Sequence, residues 1–464
     1  MHITKMCVRM QNINALHIPM QGNTIQIVAE VVKMEYNILD FGAVADGATV
    51  NTAAIQNAID KCHQAGGGRV IVPAGGTFVS GTIYLKSNVE LYLEHGACLK
   101  ASTNMADYNS DDAYPENHES IKERWTAKHF IICVRQKNVA ITGGGTLDGS
   151  GDFFFEDPKP FEPTNSYSWM FGMFNVKDDN IRRPGQMLAI IDSENIKISG
   201  VEIVNSPCWT VFLHGCRYAQ ITGVRIFNKV YHENTDGIDI DVCENVTVSD
   251  CMIKTGDDCI TLRCAASRLT NGMDTCKNIS ITNCVLECSV CAFRIGVGVG
   301  KIRNATISNI TVSRCGSVFN FMTSYSGRGE AFIENINIAN ITAEKAGMAL
   351  NIESPVAGGV KDVSITNFRA HLFSAVRIIA KEKGMISNIN CTDMHLISEN
   401  ADFPVGDRER EFRGSYLIYG ENADNLTFTN TIAEVREAFL GKWEGIKAFK
   451  NCDGVTINGG NIGE

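Results

Sequence analysis

Three carboxylates stand at spacings that can bring them together. Asp236 lies in Asn234-Thr-Asp-Gly237, and Asp257 and Asp258 lie in Gly256-Asp-Asp-Cys259. One Asp beside a glycine is an ordinary turn former. Three of them, each next to a Gly or another Asp, offer a general acid and a general base in one place, which is what acid/base cleavage of a glycosidic bond requires. Crowded like charges push at least one pKa up, so one acid can keep its proton while its neighbours stay ionised. Such protonations are coupled and belong to the cluster.

Other candidates surround the acids. Asn234 and His232 are close in sequence to Asp236, although a lone His is more often structural. Arg294 alternates with Phe293, Ile295 and Val297, and Arg263 is out of phase with Ile260 and Leu262. Both arginines are therefore predicted to point outward. An outward Arg can hold a uronate through two parallel hydrogen bonds or sit in a surface ion pair. The same parity turns Asp236 inward with Ile238 and Ile240, and Asp258 inward with Ile260 and Leu262. Exposing these acids needs a break in phase, for which Gly237 offers a bend.

The elements that must position these groups form a ladder. Segments of the type apolar-x-apolar-Ser/Thr-Asn/Asp/Gly recur as Val139-Ala-Ile-Thr-Gly143, Ile196-Lys-Ile-Ser-Gly200, Ala219-Gln-Ile-Thr-Gly223 and Val246-Thr-Val-Ser-Asp250. They continue as Ile279-Ser-Ile-Thr-Asn283, Ala305-Thr-Ile-Ser-Asn309, Ile336-Asn-Ile-Ala-Asn340 and Val363-Ser-Ile-Thr-Asn367, with weaker copies at Leu426-Thr-Phe-Thr-Asn430 and Val455-Thr-Ile-Asn-Gly459. Period-two alternation makes each copy a strand. Strands repeating at coil length without helices between them predict an all-β fold, a single-stranded right-handed parallel β-helix. Asp236 and Asp257 are 21 residues apart, about one coil. The many Asn-x-Thr triplets, such as Asn309-Ile-Thr311 and Asn340-Ile-Thr342, follow from the ladder rather than from glycosylation.

One helix is predicted near the start. Asn51 caps it, Ala54, Ile55, Ala58, Ile59 and Cys62 form its apolar face, and Gly66-Gly-Gly68 ends it. It is expected to plug the open end of the β-helix. Residues 1–34 read as an extension and 35–464 as one β-helix domain. Three stretches interrupt the repeat: 104–128 with Trp125; 151–187 with Phe153, Phe154, Phe155, Phe161, Tyr167, Trp169, Phe171 and Phe174; and 401–415 with Arg408, Arg410 and Arg413. Long loops on a rigid scaffold are where binding concentrates.

Composition excludes several classes. The 464 residues carry a net charge of −10, which disfavours nucleic acid as a partner. No apolar run approaches the ~20 residues of a membrane span. The seventeen Cys lack zinc spacing and suit a reducing compartment. No secretion signal is read at the N-terminus, so the expected location is cytoplasmic, or secreted or periplasmic if the start is misassigned.

The chain resembles the polygalacturonase-like glycoside hydrolases of family 28, from about Tyr36 to the C-terminus. The resemblance rests on Tyr36-Asn-Ile-Leu-Asp-Phe-Gly-Ala-Val-Ala-Asp-Gly47, on Gly-Gly-Arg-Val-Ile-Val-Pro73, on the Asn-x-Asp motif at Asn234-Thr-Asp236 and on the Asp-Asp motif at Asp257-Asp258. It implies that Asp257 is the general acid, that Asp236 and Asp258 activate water, and that the reaction inverts configuration with no metal or cofactor. Two family motifs are altered. Gly-His-Gly-x-Ser-Ile-Gly is replaced by Val290-Cys-Ala-Phe-Arg-Ile-Gly296, with Cys291 in place of the His, and the carboxylate-gripping Arg-Ile-Lys by Asn320-Phe-Met322. The expected substrate is a pectic or related acidic oligo- or polysaccharide, and the expected state a monomer. Two alternatives stand beside this reading. One is a polysaccharide lyase with Ca²⁺ on the three Asp and Arg294 as base. The other is a non-catalytic glycan-binding β-helix.

Overall fold

Alternation along short strands, with a left-handed residue at each corner, builds the molecule. The computed structural model describes residues 16–20, 23–27, 34–110, 124–156, 182–325, 329–399, 416–436 and 445–462. From Glu35–Asn37 onward the strands stack in three parallel ladders, and each coil between Gly68 and Ala265 contributes one strand to each. One runs through Gly68–Val72, Val89–Leu93, Lys137–Gly143, Glu194–Ser199, Arg217–Thr222 and Glu244–Ser249. A second runs through Gly76–Ser80, Ala97–Ala101, Thr146–Asp148, Glu202–Val204, Arg225–Phe227 and Met252–Thr255. The third runs through Ile131–Val134, Leu188–Ile191, Val211–His214, Ile238–Asp241 and Ile260–Ala265. Beyond Thr275 the strands continue through the corners, as in Cys291–Met322 and Glu330–Ser354. This is the parallel β-helix predicted from the repeat.

The repeat copies stack in register: Val139 on Ile196, Ala219, Val246, Ile279, Ala305, Ile336 and Val363 in turn. A rung absent from the sequence pattern, Ile389-Asn-Cys-Thr-Asp393, lies between the Val363 and Leu426 copies. Cys391 occupies its second apolar position, is fully buried and serves there as a small hydrophobe. Inward positions such as Leu213, Ile240, Leu262 and Ile295 are sealed from solvent, each contributing roughly 1.5–3 kcal/mol by burial.

The corner residues explain the asparagines. Asn283, Asn309, Asn340 and Asn367 all have φ between 53° and 57°, a region Asn tolerates better than other non-glycine residues. Their amides then bond rung to rung: Asn309 to Asn283 (3.2 Å), Asn340 to Asn309 (3.0 Å) and Asn367 to Asn340 (2.9 Å).

The helix Thr52–Gln64 buries Ile55, Ala58, Ile59 and Cys62 against the first rungs, as expected of a plug. Asn51 differs from expectation. It precedes the helix, but its side chain makes no cap bond. Its Oδ1 accepts from Val44 N (2.6 Å) and its Nδ2 donates to Thr49 O (2.7 Å), which staples the preceding loop. Gly67 follows the helix at φ 117°, where a Cβ would come within 2.4 Å of Asn88 O. Upstream of the ladder, Leu16–Met20 and Asn23–Ile27 pair as an antiparallel hairpin. No described helix is long and apolar enough to cross a membrane.

Candidate active site

The acids stand in the turns that lead into two neighbouring strands of the third ladder. Asp236 precedes Ile238–Asp241, and Asp257 and Asp258 precede Ile260–Ala265, one rung on. Strand parity therefore does not govern them, which corrects the inward orientation expected from phase. The glycines act through close packing rather than as hinges. A Cβ on Gly237 would lie 2.4 Å from Cys259 O, and one on Gly256 would lie 2.0 Å from His232 O. Threonine hydroxyls lock the two turns together. Thr235 Oγ1 donates to His232 O (2.8 Å) and accepts from Gly256 N (3.0 Å), while Thr255 Oγ1 donates to Asp257 O (2.7 Å).

This stacking brings one oxygen each of Asp236, Asp257 and Asp258 within 4.8 Å of one another. Asp236 is buried and its Oδ1 has no hydrogen-bond partner. Asp257 is partly exposed, and its Oδ1 accepts from Asp258 N (3.0 Å). Burial, and then the neighbouring Asp257, hold the Asp236 carboxyl well above the usual range. Burial and Asp258 push Asp257 up to about 7, against the opposing pull of Arg294.

Asp258 has a different environment. Arg294 grips it with Nε on Oδ2 and Nη2 on Oδ1, and Cys291 N also donates to Oδ1 (3.1 Å). Arg294 Nη2 also reaches Cys291 Sγ (3.5 Å), where Asn320 Nδ2 donates as well (3.5 Å). The Arg294 guanidinium is thus paired inside the protein, although its strand position, beside Thr261, is the outward one predicted. Pairing with Asp258 helps hold its pKa well above the ordinary value despite the opposing effect of burial. A proton-abstracting Arg needs the opposite shift, which removes the lyase reading's base. Both Asp258 oxygens are engaged, with a guanidinium in contact.

The remaining candidates lie around this cluster. Arg263 faces outward in register with Asp241, yet its side chain is only 13% exposed. It lies 3.7 Å from Asp239 and 3.8 Å from Asp241, with its guanidinium 4.5 Å from the centre of the Trp209 ring. Asn234 adopts φ 51° and its Oδ1 accepts from the fully buried Arg183 (2.7 Å). Arg183 also donates to Pro207 O (2.6 Å) and Glu233 O (2.9 Å). His232 is buried and stacks on Phe155 at 4.1 Å, with its Nε2 3.8 Å from Asp152; burial pushes its pKa down to about 4.

Sequence reasoning singled out neither Asp239 nor Arg183. Asp239 is sealed from solvent and held by Thr261 Oγ1 (2.6 Å), and burial pushes it up to about 7. Its outward parity on a strand next to Asp236 was the available signal. Arg183 carried none, because its partners come from two turns far from it in the chain. Of the interrupting stretches, Trp125 packs on Trp209 (6.1 Å) beside the site. Phe161, Tyr167, Trp169, Phe171, Phe174, Arg408, Arg410 and Arg413 lie outside the described residues.

Comparison with known proteins agrees with this geometry. The profile of Glycosyl hydrolases family 28 matches residues 62–320, a span containing all three acids. The chain is 31% identical over 234 residues to a probable polygalacturonase of Vitis vinifera, covering 49% of this chain and 44% of that one. It is 31% identical over 268 residues to an exo-poly-alpha-D-galacturonosidase of Dickeya chrysanthemi, covering 52% and 43%. It thus spans less than half the length of these relatives. Its fold is similar to that of an exopolygalacturonase from Thermotoga maritima, with a TM-score of 0.60 and 21% identity over 92% of this chain and 93% of that one. A family 28 exopolygalacturonase of Yersinia enterocolitica gives a TM-score of 0.62 and 18% identity over 93% and 79%. With its acid motifs in adjacent turns of a parallel β-helix and the family profile matched over more than half its length, the chain belongs to glycosyl hydrolases family 28.

Proposed function

We propose that the protein is an inverting glycoside hydrolase that cleaves pectic or related acidic glycans of the galacturonan or rhamnogalacturonan type. The observation that carries this is the convergence of Asp236, Asp257 and Asp258 within 4.8 Å. Asp257 protonates the leaving oxygen. It is the partly exposed acid of the three, and burial beside Asp258 lets it hold a proton to about pH 7. Asp258 takes the proton of the attacking water, which Asp236 helps to orient, and the reaction uses no metal or cofactor. Inverting enzymes separate acid and base by roughly 6.5–9.5 Å to admit that water. Those separations are between carboxyl groups, whereas the 4.8 Å limit here applies to one oxygen of each acid. The names of the relatives from Vitis vinifera and Dickeya chrysanthemi support a pectic substrate.

Exo action on imported oligosaccharides, in the cytoplasm and as a monomer, completes the proposal. The free thiols of all the described cysteines suit a reducing compartment. Purified protein incubated with a panel of pectic oligosaccharides, with NMR of the first-formed anomer, tests the reading. Inversion is expected. A retained anomer, an unsaturated uronate product or no cleavage of any member would overturn it. Cell fractionation and light scattering check location and oligomeric state.

A further inference from the structure

The acids on this face are unevenly compensated. Arg294 forks onto both oxygens of Asp258. Arg263 lies between Asp239 and Asp241. Neither guanidinium reaches Asp236 or Asp257 within ion-pair distance among the described residues. Among the described residues, Asp236 Oδ1 has no hydrogen-bond partner, and the Asp257 carboxyl accepts only from the backbone N–H of its neighbour. The carboxyls of Asp236, Asp239, Asp241, Asp257 and Asp258 outnumber the two guanidiniums. A buried cluster of that composition cannot stay fully ionised, and protons settle where compensation is weakest.

We propose that Arg294 is a positioning residue, the site's built-in counter-ion. It keeps Asp258 a carboxylate aimed at the attacking water and leaves the mobile proton to Asp236 and Asp257, rather than gripping a carboxylate of the glycan. This rests on the glycoside hydrolase reading above. Arg294 is 8% exposed, and its Nη2 is shared between Asp258 and Cys291. Its guanidinium also lies 5.7 Å from the centre of the Tyr325 ring. A glycan carboxylate approaching it would have to displace a buried bidentate pair and lie against Asp257. The charged and titratable groups that act on Asp258 are Asp257 from its own turn, Asp236 and Asp239 from the preceding rung, and Arg294 and Cys291 from the following strand. Arg294 is the one cation among them. The raised pKa values of Asp236 and Asp257 agree with this division.

Arg294→Gln and Arg294→Lys test it in the full chain. Carboxyl ¹³C NMR titration compares Asp258 in the parent and in the two variants. In Arg294→Gln it should titrate about 1–3 pH units higher, the size of an opposite-charge effect at contact. Arg294→Lys keeps the charge without the fork, so a smaller shift in the same direction is expected, and it serves if the Gln variant does not fold. In kinetics, the acid limb of kcat/KM should move to higher pH and kcat should fall. KM should stay within about twofold on uronate oligosaccharides and on their reduced, neutral counterparts. An unmoved Asp258 titration overturns the proposal. So does a tenfold or greater rise in KM confined to uronate substrates. The titration needs no turnover, so failure to cleave any glycan would refute the hydrolase reading while still deciding the role of Arg294.

Discussion

Asp257 sits where burial and Asp258 favour its protonated form while Arg294 opposes them. Asp257→Asn keeps the acceptor for Asp258 N but loses the transferable proton. Turnover should fall by about 10²–10⁴-fold, measured on whichever oligosaccharide the parent cleaves best. Unchanged turnover would remove the general-acid role. With the acid titrating at about 7, kcat/KM should decline as pH rises through that value. Stability carries the same sign. Asp236, Asp239 and Asp257 all have raised pKa values, so the folded state binds more protons than the unfolded chain. Their contribution is fully present below the unfolded value of 3.8, and that of Asp239 and Asp257 is lost as pH rises through about 7. Asp257→Asn should therefore unfold at a higher temperature than the parent at about pH 8, with a smaller difference at about pH 5. Calorimetry at the two pH values checks it.

The turns and corners hold these acids through contacts that tolerate little change. Gly256→Ala places a methyl 2.0 Å from His232 O. The turn bearing Asp257 must then move away from the turn bearing Asp236. Loss of activity and of stability should go together, and a fully stable but inactive protein would contradict the packing account. At Asn340, φ 57° and bonds to the asparagines of both neighbouring rungs coincide. Asn340→Ala loses the bonds and keeps a strained backbone, whereas Asn340→Gly loses the bonds alone. The Ala variant should be the less stable by about 1 kcal/mol in denaturant unfolding. The ladder was legible in the sequence because alternation and a left-handed corner residue are local properties. The Ile389 rung escaped because Cys391 stands in an aliphatic position, and Asn51 was misread because a cap and a loop staple share one sequence signal.

The whole molecule depends on closing the end of its hydrophobic column. Ile59 is completely buried between the helix and the first rungs. Ile59→Asp should uncap that column and drive self-association or misfolding, seen by light scattering against the monomer expected of the parent. A monodisperse, equally stable variant would mean that the helix is dispensable as a plug. Charges pair along the outside between successive rungs, as in Lys137 with Glu194 (2.8 Å) and Lys277 with Glu244 (3.1 Å). Exposed pairs of this kind add little energy each, so the column itself supplies the rigidity that holds the acids in place.

The sequence alone determined the coil, its repeat and the convergence of Asp236 with Asp257 and Asp258, because one-coil spacing in a stacked fold makes neighbours of residues that occupy equivalent turns. It also placed Arg263 and Arg294 on the outward face, since parity is a property of a single strand. Only the tertiary structure decided that Arg294 belongs to Asp258, that Arg263 belongs to Asp239 and Asp241, and that neither guanidinium comes within ion-pair distance of Asp236 or Asp257 among the described residues. Those pairings depend on the offset between rungs, on bends ahead of the strands and on burial. Each of these sets distance and dielectric between charges far apart in the chain, and none is written in the pattern of any one segment.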